Sequence, residues 1–367
     1  MTMPASTLKE LFLLMRQKQA SDLHLTSGVP PVLRIDGHLI QTPFEPLTPD
    51  ACQRLVYSLM SEQQRSRFEQ TNEIDMAFAI EGLGRLRMNV YRQRGRVGAA
   101  IRAVPSDFKS FEELGLPPVS FKLMELSNGI ILITGESGSG KSTTLASMIN
   151  YLNQNESMHI VTIEDPIEFV HEHRKSLVNQ REVGSDTESF SQALKYILRQ
   201  DPDVILIGEM RDLETISTAL NVAETGHLVL ATLHTQDSVQ TFNRIIDVFP
   251  SGQQEQIRIQ LSFVLQAVFS QQLVPMASGA GRALAAEVLM ATPAVRHLIR
   301  EKKLEQIHTM IQTGSQYGMQ TMNYALAKLV MDGAISLQDG LTHCTDAQDF
   351  RQLVQQNSRQ TGRQVPI

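Results

Sequence analysis

The chain has 367 residues, a formal net charge of −6, two cysteines and no tryptophan. That length asks for about two or three domains, and the mild acidity gives no electrostatic case for nucleic acid as an obligate partner. Cys52 and Cys344 sit in no metal spacing, which suits a reducing cytosol. No apolar run approaches the roughly 20 residues that span a bilayer, so any membrane contact is expected to be peripheral.

In chain order, Thr7-Leu-Lys-Glu10 has capping-box spacing, and Leu8, Leu11, Phe12 and Met15 fall on one helical face. Met1 to Met15 lacks the layout of a signal peptide. Ser21 to Leu25 alternates like a strand, and Val32 to Gln41 reads as a hairpin turning at Asp36-Gly37. Helices around Pro49 to Met60 and Glu62 to Glu69 precede alternating strands from Ile74 to Val104, so residues 1–104 read as a small α+β domain with an antiparallel sheet. Pro105 and Gly115-Leu-Pro-Pro118 mark residues 105–120 as a linker. From Gly129 the rhythm changes to apolar runs separated by helices: Ile130 to Thr134, Ile160 to Ile163, Val204 to Ile207 and Leu228 to Leu233. That pattern predicts an α/β core over 121–290 with a mostly parallel sheet. Beyond Pro250 the pattern is helical, with Ile257, Leu261, Val264, Leu265 and Val268 at core spacing; more helices follow from Pro293, and Asn357 to Ile367 reads as a frayed tail.

The stretch from Gly129 to Thr144 carries the chemistry. An apolar strand runs into Gly135-Glu-Ser137-Gly138-Ser139-Gly140-Lys141-Ser142-Thr143, the P-loop spacing. Its glycines let successive N–H groups turn towards phosphate oxygens, and the following helix points its positive end there. Lys141 supplies a point charge for the β- and γ-phosphates, and the Ser142 hydroxyl suits Mg²⁺. A nucleotide held with Mg²⁺ is therefore expected.

Ligands of such sheets sit at the carboxyl ends of the strands, and polar residues follow each run there. Glu164 and Glu209 are candidates to polarise water and to order Mg²⁺, the lesser alternative for either being a helix N-terminal charge or a surface ion pair. Gly208 stands where a Walker B strand usually ends in aspartate, so Glu209 is read as a metal contact through water. Asp165, before Pro166, reads as a turn residue. His227 and His234 flank the fourth run; His234 is placed to sense a γ-phosphate, and no third ligand makes the pair a metal site. The basic stretch Gly84 to Arg96, with Arg102 after it, is either a solvated hairpin or a source of arginines that reach phosphate from outside the P-loop domain.

Taken in order, Ile163-Glu-Asp-Pro-Ile-Glu168, Asn179-Gln-Arg-Glu-Val183, Leu198-Arg-Gln-Asp-Pro202, Ile207-Gly-Glu-Met-Arg-Asp212 and Glu224-Thr-Gly-His to Leu233-His-Thr resemble the motifs of the secretion and pilus ATPases. The similarity runs from Ser21 to Thr321. It implies a RecA-like P-loop core, a PAS-like domain before it and C-terminal helices over 291–367. It also implies a homohexamer in which Glu164 is the catalytic glutamate and Arg87 and Arg102 complete a neighbour's site. Such motors act in the cytoplasm, at the inner-membrane base of the pilus, on a platform protein.

Assembly and secretion members carry a four-cysteine zinc cluster, whereas Gln271 to Gly279 has no cysteine, so the chain resembles the retraction branch, which drives twitching motility. Glu136-Ser137 replaces the family's usual Pro-Thr, and Ala294-Val-Arg-His-Leu-Ile299 is an altered form of the motif associated with retraction. These departures keep open an accessory role beside a paralogous retraction ATPase. A nucleic-acid translocase is the remaining alternative.

Overall fold

The structure, a computed structural model, describes residues 7–35, 37–80, 84–104 and 108–361. Asp36 of the expected hairpin and Pro105 lie outside those residues, as does the chain beyond Thr361. Two units divide between Asp107 and Phe108.

In the first unit, α1 (Leu8–Gln17) starts at the capping box, where Thr7 and Glu10 exchange hydrogen bonds, and buries Leu11, Phe12 and Met15. It precedes β1 (Asp22–Leu25), β2 (Val32–Ile35), β3 (His38–Gln41), α2 (Pro49–Tyr57), α3 (Glu62–Thr71), β4 (Glu73–Ile80), β5 (Gly84–Gln93) and β6 (Arg96–Ala103). The strands form one antiparallel sheet ordered β3-β2-β1-β6-β5-β4. Along β5 the side chains alternate: Leu86, Met88 and Val90 enter the core, which leaves Arg85 and Arg87 together on the other face.

The second unit contains α4 (Phe111–Leu114), α5 (Val119–Leu123), β7 (Gly129–Thr134), α6 (Lys141–Asn155), β8 (His159–Glu164), β9 (Leu177–Glu182), α7 (Phe190–Ile197), β10 (Val204–Ile207), α8 (Leu213–Glu224), β11 (Leu228–Leu233), α9 (Ser238–Asp247), α10 (Ser251–Val264), β12 (Leu265–Pro275), β13 (Arg282–Met290), α11 (Pro293–Arg300), α12 (Ile307–Thr313), α13 (Met322–Met331), α14 (Leu337–His343) and α15 (Ala347–Thr361). Its sheet is ordered β13-β12-β7-β11-β10-β8-β9, parallel except for the β12–β13 pair. β7, β10 and β11 are buried at every position, the mark of strands covered on both faces.

Three expectations need correction. Leu265 and Val268 do not continue a helix: α10 ends at Val264, and the same apolar run pairs with β7 as β12, because a short run of this kind fits a buried strand as well as a helix. The stretch read as linker includes α4 and the start of α5, and its Phe111 and Val119 pack in one core with Ile131 and Ile133 of the sheet. Helix α15 also runs through Asn357 to Thr361, where fraying was expected. Among the described residues no helix is long and apolar enough to cross a membrane.

Candidate active site

Register brings the parallel strand ends into one row. Thr134 pairs with Leu233, Ala231 with Ile207, and Ile207 with Ile163. The residues that leave these strands, Gly135, His234, Gly208 with Glu209, and Glu164, therefore succeed one another along the carboxyl edge. Glu164, Gly208, Glu209 and His234 line a cleft of about 420 Å³ together with Ser137, Gly138, Gly140, Lys141, Ser142 and Thr143.

The loop's shape follows from its residues. At Gly135, with φ of 141°, a Cβ would stand 2.5 Å from both the Gln271 carbonyl oxygen and Ser139 Oγ, so only glycine lets the chain leave β7 there. Ser139 is buried and, like Gly135, does not line the cleft. Lys141 Nζ donates to the carbonyls of Gly135 at 2.8 Å and Glu136 at 2.9 Å, holding the loop curled. Burial lowers the Lys141 pKa, against the pull of Glu209 and Glu168. Behind the loop, buried Gln271 exchanges hydrogen bonds with Thr144, and Thr134 donates to Ser270, which locks α6 and β7 to β12.

The two glutamates have opposite electrostatics. Glu164 Oε1 accepts from Thr162 Oγ1 at 2.6 Å and Gln180 Nε2 at 3.1 Å, yet burial outweighs these bonds and raises its pKa. Burial also pushes Glu209 up, but there the Arg211 and His234 contacts win and the net shift is downward. Glu209 Oε1 lies 2.6 Å from Arg211 Nε and 3.1 Å from His234 Nε2. Gly208 explains the missing Walker B aspartate: a Cβ there would stand 3.2 Å from Glu164 Cα and from the Ile163 carbonyl oxygen. Both close atoms are backbone of β8, which a side chain at Gly208 would have to push aside by a few tenths of an ångström.

His227 is not part of this cleft. It precedes β11, at the opposite end of the strand from His234, and its Nδ1 lies 3.2 Å from the Val222 carbonyl and from Thr225 Oγ1. A histidine on each side of one strand cannot serve one edge of a sheet, because each residue advances the chain by about 3.3 Å. Arg87 and Arg102 belong to the first unit, where they face each other across β5 and β6. Arg102 Nε donates to Asp22 Oδ1 at 2.7 Å. Burial pushes the Asp22 carboxyl up, while hydrogen bonds from Ser21 and Arg102 more than reverse it. Arg92 does not lie solvated at a hairpin turn: it is bound to Glu69 of α3 and lies over the Phe68 ring.

Four residues of the site went unnoticed in the sequence. Gln180 and Arg211 lay inside quoted motifs, and Thr162 precedes Glu164 by two, hence on its face of β8. Arg282 lines the cleft and reaches the Gly138 carbonyl at 3.4 Å, but it sits on β13, in a region read as helical.

Comparison with known proteins places the site in context. The chain matches the type II/IV secretion system protein family over residues 6–342. It is 48% identical over 330 residues to the type IV pilus retraction ATPase PilT of Pseudomonas aeruginosa, covering 90% of this chain and 96% of that one. The type IV pilus ATPase PilU of the same organism is 42% identical over 350 residues, covering 95% and 92%. The crystal structure of the pilus retraction motor PilT with bound ADP superposes with a TM-score of 0.89 at 50% identity, covering 95% of this chain and all of that one.

Proposed function

The chain belongs to the type II/IV secretion system protein family and is an ATPase, and from that premise we propose that it is the motor that drives type IV pilus retraction and twitching motility. In this proposal it works as a homohexamer against an inner-membrane platform protein, from the cytoplasmic side of the pilus base. Residues 1–104 form the arginine-bearing domain, the ATPase core extends to residue 290, and 291–367 form the C-terminal region.

The observation that carries the proposal is a P-loop and two glutamates lining one cleft, the pKa of Glu164 shifted up and that of Glu209 shifted down. Lys141 and the loop amides hold the β- and γ-phosphates. Glu164, a carboxylate whose raised pKa makes it a better base, accepts a proton as water attacks the γ-phosphorus. The bond to the β-phosphate oxygen breaks, and ADP and inorganic phosphate leave. The Ser142 hydroxyl and Glu209 carboxylate are hard oxygen donors lining the cleft. That sparse set fits Mg²⁺, which takes few protein ligands beside phosphate and water. When bound, Mg²⁺ neutralises charge shared by the β- and γ-phosphates. His234, on Glu209, senses the γ-phosphate. Arg87 and Arg102 act on the nucleotide of a neighbouring subunit, where such groups add ~10³ to 10⁵ in rate.

The altered Ala294 to Ile299 motif and the PilU likeness support a second reading, an accessory ATPase that works beside a paralogous motor. Deletion of the gene decides between them. Loss of a primary motor leaves cells with more pili and no twitching; loss of an accessory leaves twitching that the paralogue sustains.

A further inference from the structure

We propose that Gln180 is a positioning residue that fixes the Glu164 carboxylate for proton transfer by tying it to the loop that follows β8. The inference rests on Glu164 being the base of the proposed reaction.

Hydrogen-bond chemistry sets the direction of the Gln180 amide. Its Oε1 lies 2.7 Å from the backbone N of His171, a group that can only donate, so that end of the amide is the oxygen. The opposite end is then the NH₂ group, and it meets two acceptors, Glu164 Oε1 at 3.1 Å and the Phe169 carbonyl at 2.8 Å. Gln180 pairs with Thr162 between β9 and β8, so both donors approach Oε1 of Glu164 from adjacent strands. The loop end of this tie is itself anchored, because the His171 ring stacks on Phe108 with centroids 4.4 Å apart. Burial pushes His171 down to about 4, so the ring is neutral at pH 7 and adds no charge. The titratable and charged groups around Glu164 are Asp165 and Glu168 on its own loop, Lys141 on the P-loop, and Glu209, Arg211, His234 and Arg282 in the cleft, with Glu182 opposite it in register.

A donor to a carboxylate stabilises its charged form. Removing the Gln180 donor therefore raises the Glu164 pKa, and the pH at which the base becomes competent moves upward. The test uses purified full-length protein, phosphate release at saturating ATP with Mg²⁺ between pH 5 and 9, and binding of a fluorescent ATP analogue. Gln180→Met keeps the bulk and removes the amide. It should lower kcat at pH 7 by about tenfold or more and shift the acid limb of kcat up by about one pH unit. KM should stay within about twofold, and part of the lost rate should return at high pH, which a folding defect would not allow. Gln180→Glu, nearly the same shape with a like charge beside Glu164, should shift the limb further and carries the test should the methionine variant not fold. An acid limb that stays in place in these variants overturns the inference. Glu164→Gln, run in parallel, separates the two claims. Lost turnover in Glu164→Gln with an unmoved limb removes Gln180 alone, whereas retained turnover removes the base and the inference with it.

Discussion

Replacing Gly208 with alanine should loosen the strand end that carries Glu164. The new Cβ would stand 3.2 Å from Glu164 Cα and from the Ile163 carbonyl oxygen, where unstrained contacts are ~3.5–4.0 Å. Both neighbours are backbone, and Gly208 is held on each side: its N–H donates to Ile163 O at 2.8 Å, and its carbonyl accepts from Thr232. The strands must therefore part by a few tenths of an ångström. Overpacking of this kind costs about 1–3 kcal/mol, or a fall of about 2–10 °C in melting temperature for a unit of this size. Misplacement of a catalytic group costs ~10²-fold in rate per ångström, so turnover should fall about threefold to tenfold. Calorimetry and phosphate release read the two effects. Gly252→Ala in α10, where a Cβ meets nothing within 4 Å, is the control and should not destabilise. A Gly208→Ala protein that melts within 1 °C of the parent, a shift below about 0.5 kcal/mol, and turns over at its rate would refute the close approach.

Arg102→Ala should leave the buried Asp22 without its cation. The lowered Asp22 pKa contributes stability at pH values above its ordinary range, and that stability is lost as pH falls through the folded value; removing Arg102 raises the folded value and costs about 1 kcal/mol at pH 7, limited by the exposure of the arginine. Adding Asp22→Asn should recover the stability in denaturant titrations but not the turnover of the assembled protein; recovery of both would confine Arg102 to the fold. His234→Ala, which removes a partner of Glu209, should slow phosphate release several-fold with ATP binding intact, about 1 kcal/mol in barrier. His227→Ala should leave it within about twofold, because that ring sits at the far end of β11; equal losses would contradict the placement.

The parallel core was legible because Ile130 to Thr134, Val204 to Ile207 and Leu228 to Leu233 are short apolar runs separated by helical segments, the rhythm of strands covered on both faces, and the polar residues after them marked the cleft. β9 escaped notice because an edge strand alternates weakly, with Leu177 exposed and only Val178 and Glu182 buried. β12 was hidden by its direct continuation from α10, with no glycine or proline between Val264 and Leu265. The partners of Glu164 were unreadable for a different reason. Gln180 meets it through strand pairing across 16 residues, a contact set by topology rather than by local pattern. His227 and His234 flank one run, and strand direction, which puts only His234 at the carboxyl end, separates them.

The central claim is that this cleft splits ATP with Glu164 as base, and it is tested most directly by phosphate release from Glu164→Gln at saturating ATP and Mg²⁺. The account predicts ATP binding equal to the parent and turnover reduced by ~10²-fold or more. Turnover within about twofold of the parent, with binding unchanged, would contradict it.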